Sequence, residues 1–179
     1  MALQINYDAL QHALDEAGDA QALHRAVVDA PFDHKVELAL LHLGIIVLLL
    51  ADKSDGMIHR VALSNTEFAK GTTEFSVKRF EDIKIPIDYA GNSIAKAIRT
   101  GKPQLTTDWQ YLFAPALTPE EARFNQAGGA IACSVVYPLV GVGDGGALIY
   151  SYYQYPEKMG SDQRGFMKTY SGMVAKALA

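Results

Sequence analysis

Few side chains in this sequence have the type and spacing for chemistry. Cys133 is the single cysteine, so neither an internal disulfide nor a multi-cysteine zinc site is available. It lies in the apolar run Ile131–Val140, where a free thiol reads as a small core hydrophobe. Four histidines, His12, His24, His34 and His42, fall in the N-terminal helical region. No pair among them has the i, i+4 spacing that sets two imidazoles on one metal, and no metal site is expected. The stretch Gly141-Val142-Gly143-Asp144-Gly145-Gly146 is glycine-rich like a phosphate loop. A phosphate cradle needs a helix behind it, however, and here a strand follows. No Ser-His-Asp motif or P-loop is found, so the chain is expected not to be an enzyme.

The elements that position these residues can be read from periodicity. Ile131–Val140 and Ala147–Tyr153 are strand-like runs, and Asp144-Gly145 supplies the positive φ of a tight turn, which predicts an antiparallel hairpin. Cys133, Val135, Tyr137 and Leu139 share one face, and Ala132, Ser134, Val136 and Val140 the other. Both faces are mainly apolar, which places the hairpin in mid-sheet with a layer on each side. Upstream, Ile45–Leu50 reads as a strand buried on both faces, and Met57–Leu63 as its antiparallel partner. Alternation there groups Ile58, Arg60 and Ala62 against Met57, His59, Val61 and Leu63, with one face wetter. Ile83–Ile87 reads as a short strand whose Pro86 argues for an edge, and Lys102–Thr107 as a brief extended piece.

Helices are predicted from Tyr7 after an Asn6 cap, through Leu23–Ala30 until Pro31, and from Asp33 with Val36, Leu40 and Leu43 on one stripe. Ser64-Asn65-Thr66-Glu67 reads as a capping box for a short helix closed by Gly71. A helix at Asn92 or Ser93 ends at Gly101, and its N-terminus is a generic anion site. Thr118-Pro119-Glu120-Glu121 is a second strong start. The last helix begins after Ser161 and carries Phe166, Tyr170, Met173 and Ala177, widened by Val174 and Leu178.

The totals narrow the class. The chain has 179 residues, 49% hydrophobic and 20% charged, enough for one domain with a buried core. A net charge of −4 without a basic cluster leaves no footprint for nucleic acid. The N-terminus lacks a signal peptide's basic flank and apolar core, and the longest apolar run, Leu38–Ala51, is too short to span a bilayer. A cytoplasmic protein without membrane contact is expected. The chain ends at Ala179 inside a helix, which fits both a complete protein and a module continuing into an effector.

The order of these segments resembles a GAF domain. The pieces that carry the resemblance are Leu48–Asp52 with Gly56–Leu63, then Ile85-Pro86-Ile87, Gly91–Pro103, Val136–Val140, Gly146–Ser151 and the closing helix Phe166–Leu178. Together they cover about Val36 to the C-terminus, which divides the chain into an N-terminal helical segment, 1–35, and a GAF-like domain, 36–179. The resemblance implies an α/β (α+β) fold: a central antiparallel sheet of about six strands, terminal helices on one face and an α-rich excursion on the other. It also implies a non-catalytic sensory or regulatory role in signal transduction, with a small ligand between sheet and excursion and a homodimer formed through the terminal helices. Phe75, Phe80, Trp109, Tyr111, Phe113 and Asn125 are the candidate pocket residues, with Cys133 or Val135 as the floor. The alternative is that these aromatics fill the space themselves, leaving a ligand-free dimerisation or docking module.

Specific family activities find no matching residues. Bilin attachment uses a cysteine followed by histidine, whereas Ser134 follows Cys133. The free methionine sulfoxide reductases of the family use several cysteines, and a lone thiol forms no internal disulfide intermediate. The Asn-Lys-Phe-type signature of cyclic-nucleotide-binding GAF domains is not found. The cofactor, if any, is unknown.

Overall fold

A computed structural model describes residues 3–179. The strands are β1 (Leu43–Asp52), β2 (Met57–Leu63), β3 (Ile85–Pro86), β4 (Gln104–Thr106), β5 (Cys133–Pro138) and β6 (Gly146–Tyr152). They form one six-stranded sheet in the order β3-β2-β1-β6-β5-β4, antiparallel throughout. The predicted hairpin is there, with Ser134 opposite Ser151 and Val136 opposite Ile149. β6 is buried along its whole length between β1 and β5, as two apolar faces require. The proline-bearing β3 is an edge.

The β5–β6 connection is longer than the expected tight turn. Its ladder ends at the Leu139 N–H to Gly146 carbonyl bond, and residues 140–145 loop out with positive φ at Gly141, Gly143 and Gly145. Asp144 instead ties this loop to the β1–β2 turn by accepting the Lys53 N–H at 2.8 Å.

On one face lie α1 (Tyr7–Asp15), α2 (Ala20–Asp29), α3 (Lys35–Leu41) and α8 (Ser161–Leu178). Leu10, Leu14, Val27, Phe166, Tyr170 and Val174 pack there against Leu48, Leu148 and Tyr150 in one buried cluster. Two phenols buried in this layer have partners: Tyr170 donates to the Val27 carbonyl at 2.6 Å, and the Tyr150 and Ser171 hydroxyls lie 2.8 Å apart, whereas the buried Tyr152 hydroxyl has none among the described residues. Gly160, rather than Ser161, is the cap of α8, with the Gln163 side chain accepting the Gly160 N–H. The expected Val36–Leu40–Leu43 stripe is corrected. Leu38 and Leu41 face inward and Val36 and Leu40 are exposed, because His42 turns left-handed at φ 58° and Leu43 already belongs to β1. No large apolar side chain of α1, α2 or α8 is among the exposed ones, so the sheet absorbs their stripes. No helix is long and apolar enough to cross a membrane among the described residues.

The other face carries α4 (Glu67–Thr73), α5 (Ser93–Thr100), α6 (Gln110–Phe113) and α7 (Pro119–Gly128). Asn92 caps α5 by accepting the Ile94 and Ala95 N–H groups, and Gly101 closes it at φ 70°, as predicted. Thr118 caps α7. At α4 two assignments change. Thr66 is the cap, while Ser64 is buried and accepts the Ile46 N–H at 3.1 Å. Gly71 does not end the helix, which runs to Thr73; it sits where α4 crosses α7. A Cβ on Gly71 would lie 2.2 Å from the Gly128 carbonyl oxygen, and one on Gly128 would lie 2.3 Å from the Gly71 oxygen. Only two glycines let these backbones meet.

Candidate functional site

The site begins with an irregularity in β2. Leu48 pairs with Ala62, but Leu49 pairs with Arg60, so Val61 is an extra residue in the ladder. Such a bulge turns the residues beyond it to the opposite face. Ala62 therefore joins the terminal-helix core, whereas Ile58 and Arg60 point with Leu49 toward the excursion. Strict alternation groups Arg60 with Ala62; the bulge separates them onto opposite faces.

Arg60 is 5% exposed. Its guanidinium donates from Nη1 to the Ile83 carbonyl and from Nη2 to the Leu112 carbonyl, both at 3.1 Å, and lies 4.5 Å from the centre of the Phe113 ring. Burial lowers its pKa to about 9, still well above neutrality, so the group remains a cation at pH 7. No carboxylate is bound to it among the described ion pairs.

Beside it is a cavity of about 40 Å³ between the sheet and the excursion. Ile45 and Val47 of β1 and Ile149 and Ser151 of β6 form its sheet wall. Trp109, Phe113, Phe80 and Ile83 close it from the excursion, with Thr72, Ser76 and Asn125 on a third side and Lys78 at the rim. Its polar floor is a relay: Trp109 Nε1 donates to Ser134 Oγ at 2.9 Å, and Ser134 Oγ lies 2.7 Å from Ser151 Oγ. Asn125 donates to Ser76 Oγ at 2.9 Å and so fastens the segment after α4 to α7. Gln126 holds α6 in place by accepting the Trp109 N–H while donating to the Thr107 and Ile131 carbonyls. The outer side of α6 is fixed by Asp108, which Arg123 contacts at 3.0 Å. Partial burial acts to raise the Asp108 pKa, but donors from Arg123 and Gln110 bring it below the usual carboxylate range.

Of the residues singled out from the sequence, Phe80, Trp109, Phe113 and Asn125 come together around this cavity. Phe75 (70% exposed) and Tyr111 (48% exposed) do not, since both point to solvent. Cys133 and Val135 are corrected as floor residues. The pleat puts them in the terminal-helix cluster, and Ser134, on the opposite face, meets the excursion instead. The Cys133 thiol is buried, donates to the Gln154 carbonyl at 3.4 Å and is pushed up to about 11 by burial. Sequence reading missed Arg60, Ser151 and Lys78. The signal for Arg60 is an arginine inside an otherwise apolar strand. The N-terminus of α5 is occupied by its own Asn92 cap. Asp52, Asp55 and His59 bring ligand atoms within 4.8 Å of one another at the exposed β1–β2 turn. Their carboxylates serve the turn itself, Asp52 accepting from Ser54 and Asp55 from Met57 and His59.

No protein-family model matches the sequence, and neither does any curated protein. Solved structures do match. The GAF domain of a phosphoenolpyruvate-protein phosphotransferase from Coxiella burnetii aligns with TM-score 0.63 at 13% identity, covering 94% of this chain and 87% of that one. The GAF domain from an Acinetobacter phosphoenolpyruvate-protein phosphotransferase gives TM-score 0.60 at 8% identity, covering 99% and 94%. A free methionine-R-sulfoxide reductase from Neisseria meningitidis, solved with its substrate, gives 0.57 at 10% identity, covering 94% and 83%. At these identities the likeness concerns the fold, and this chain has a GAF-like fold.

Proposed function

We propose that this chain is a non-catalytic sensory or regulatory module of the GAF type, acting in cytoplasmic signal transduction. It binds a small molecule between the sheet and the excursion. The observation that carries this reading is the cavity beside Arg60, where aromatic walls converge with a hydroxyl floor and a buried cation. Concave, mainly apolar sites with a few fixed polar groups are where small ligands bind. Occupancy would act on the excursion, because α6, α7 and the segment after α4 all contribute walls.

A reductase-type activity finds no support in the thiol. The single cysteine is on the sheet face opposite the cavity, hydrogen-bonded and held in its protonated form. The second reading, a ligand-free docking module, is favoured by the cavity's small volume, since Trp109 and Phe113 fill much of the space. Homodimerisation belongs to the proposal too. With the terminal-helix stripes buried, Val36 and Leu40 of α3 are exposed apolar side chains on that side.

Native mass spectrometry of the purified chain, followed by a thermal-shift panel of nucleotides, amino acids and organic acids, tests the reading. A ligand stabilises by mass action, so at least one compound should raise Tm and change Trp109 fluorescence. A silent panel selects the docking module. Light scattering at micromolar concentration decides the dimer.

A further inference from the structure

Resting on that reading, we infer that the cavity's ligand is a small organic carboxylate with a compact apolar body, held by the guanidinium of Arg60. Arg60 has five N–H donors, and the two carbonyl contacts use only part of that fork. A cation this deeply buried without a counter-ion is costly, and neutral carbonyls and one aromatic face offset only part of the cost.

The charge lining the cavity points the same way. Arg60 and Lys78 are its two ionisable residues and both are basic; no Asp or Glu contributes to it. This is a local reversal in a chain that carries 20 acidic against 16 basic residues. An apolar cavity with only positive charges has a focused positive potential, which selects anions and rejects cations. The fork of an arginine matches a planar carboxylate in two parallel hydrogen bonds.

Size and walls select the rest of the molecule. The volume of about 40 Å³ corresponds to roughly two or three waters, far below a nucleotide. Val47, Ile149, Trp109 and Phe113 offer no polar partner to a ligand body, while the Ser151 hydroxyl on the floor can donate to a second carboxylate oxygen. The Arg60 contacts also link binding to the excursion. Ile83 precedes β3 and Leu112 lies in α6, so a carboxylate that draws the guanidinium away from either carbonyl loosens a cavity wall.

The test compares acids with their uncharged isosteres on the full chain, reading Tm and the fluorescence of Trp109, the single tryptophan. Acetate and propionate at millimolar concentration should raise Tm by at least about 2 °C, whereas acetamide and propanamide should not. Arg60→Gln should lose at least tenfold in acid affinity. Should that variant fail to fold, the side-chain Nε–H resonance of Arg60 in the 15N-labelled wild-type chain gives the answer: it should move with acetate and stay still with acetamide. Amides that bind as well as the acids, a shift reproduced by chloride alone, or an Arg60 resonance unmoved by acetate would each overturn the inference. If a nucleotide or neutral metabolite binds and the acids do not, the ligand class is wrong and the small-molecule reading survives. If no compound of either set binds, both fall.

Discussion

The two faces of this sheet are built from the same strands and do different work. On the terminal-helix face, β1, β5 and β6 meet side chains that interdigitate, and the buried Tyr150 and Tyr170 hydroxyls are matched to Ser171 and to a backbone carbonyl. On the excursion face the same strands meet short helices, a cavity and a buried arginine with no carboxylate. Long helices cover a sheet with a continuous apolar stripe, and so the centre of the first face is closely packed. Short helices and loops bring their own backbone carbonyls inward, and Ile83 and Leu112 present theirs to Arg60. The difference teaches where binding capacity arises in such a fold: on the face whose packing is interrupted.

Neighbouring residues on one strand give the most severe test of this contrast. Leu48 is fully buried on the helix face, and Val47, next to it, lines the cavity. Leu48→Ala should cost about 3–5 kcal/mol in urea unfolding, while Val47→Ala should cost about 1–2 kcal/mol because its surroundings already lack partner atoms. Equal losses per methylene removed would mean that the two faces are packed alike.

Cys133 sharpens the comparison chemically. With its thiol raised to about 11 against an ordinary value of 9.0, native thiolate at pH 8 should be about a hundredfold scarcer than in the unfolded chain. Iodoacetamide labelling should be slower by at least that factor until urea is added. Fast native labelling would show that the helix face opens.

Gly71→Ala attacks the excursion face. Its Cβ has no room against the Gly128 oxygen, so a loss of about 1–3 kcal/mol is expected, with a change in Trp109 fluorescence as α4 and α7 separate. Unchanged stability would mean that the crossing is looser than the geometry requires. The smallest effect, and a gain, is expected from Gly165→Ala in α8, where no atom lies within 4 Å of the added Cβ. Replacing a helical glycine at an open position should stabilise by about 0.5–1 kcal/mol, seen as a rise in Tm.

Legibility in the sequence followed the range of the interactions involved. Asn92 and Gly101 as the ends of α5, Thr118-Pro119 as the start of α7 and the β5–β6 pairing were all readable, because caps and alternation act over a few residues. The cap at Ser64 failed because its hydroxyl was drawn to β1, leaving Thr66 to begin the helix. Gly71 reads as a helix end in the sequence, since its partner Gly128 is distant in the chain and adjacent only in space. At the cavity, Phe80, Trp109, Phe113 and Asn125 were recognised by type and segment, but Arg60 was not. The bulge at Val61 that turns Arg60 inward belongs to the β1–β2 ladder and is invisible in β2 alone.

The sequence by itself determined the antiparallel hairpins, most helix ends and the presence of apolar material on both sides of the sheet. Hydrophobic period and capping chemistry are local properties, fixed before any tertiary contact forms. Only the tertiary structure decided which layer each strand face meets. It sent Cys133 to the sealed core and Arg60 to the cavity, because register, bulges and layer order arise from pairing between distant segments, and a one-residue offset is enough to exchange the two faces.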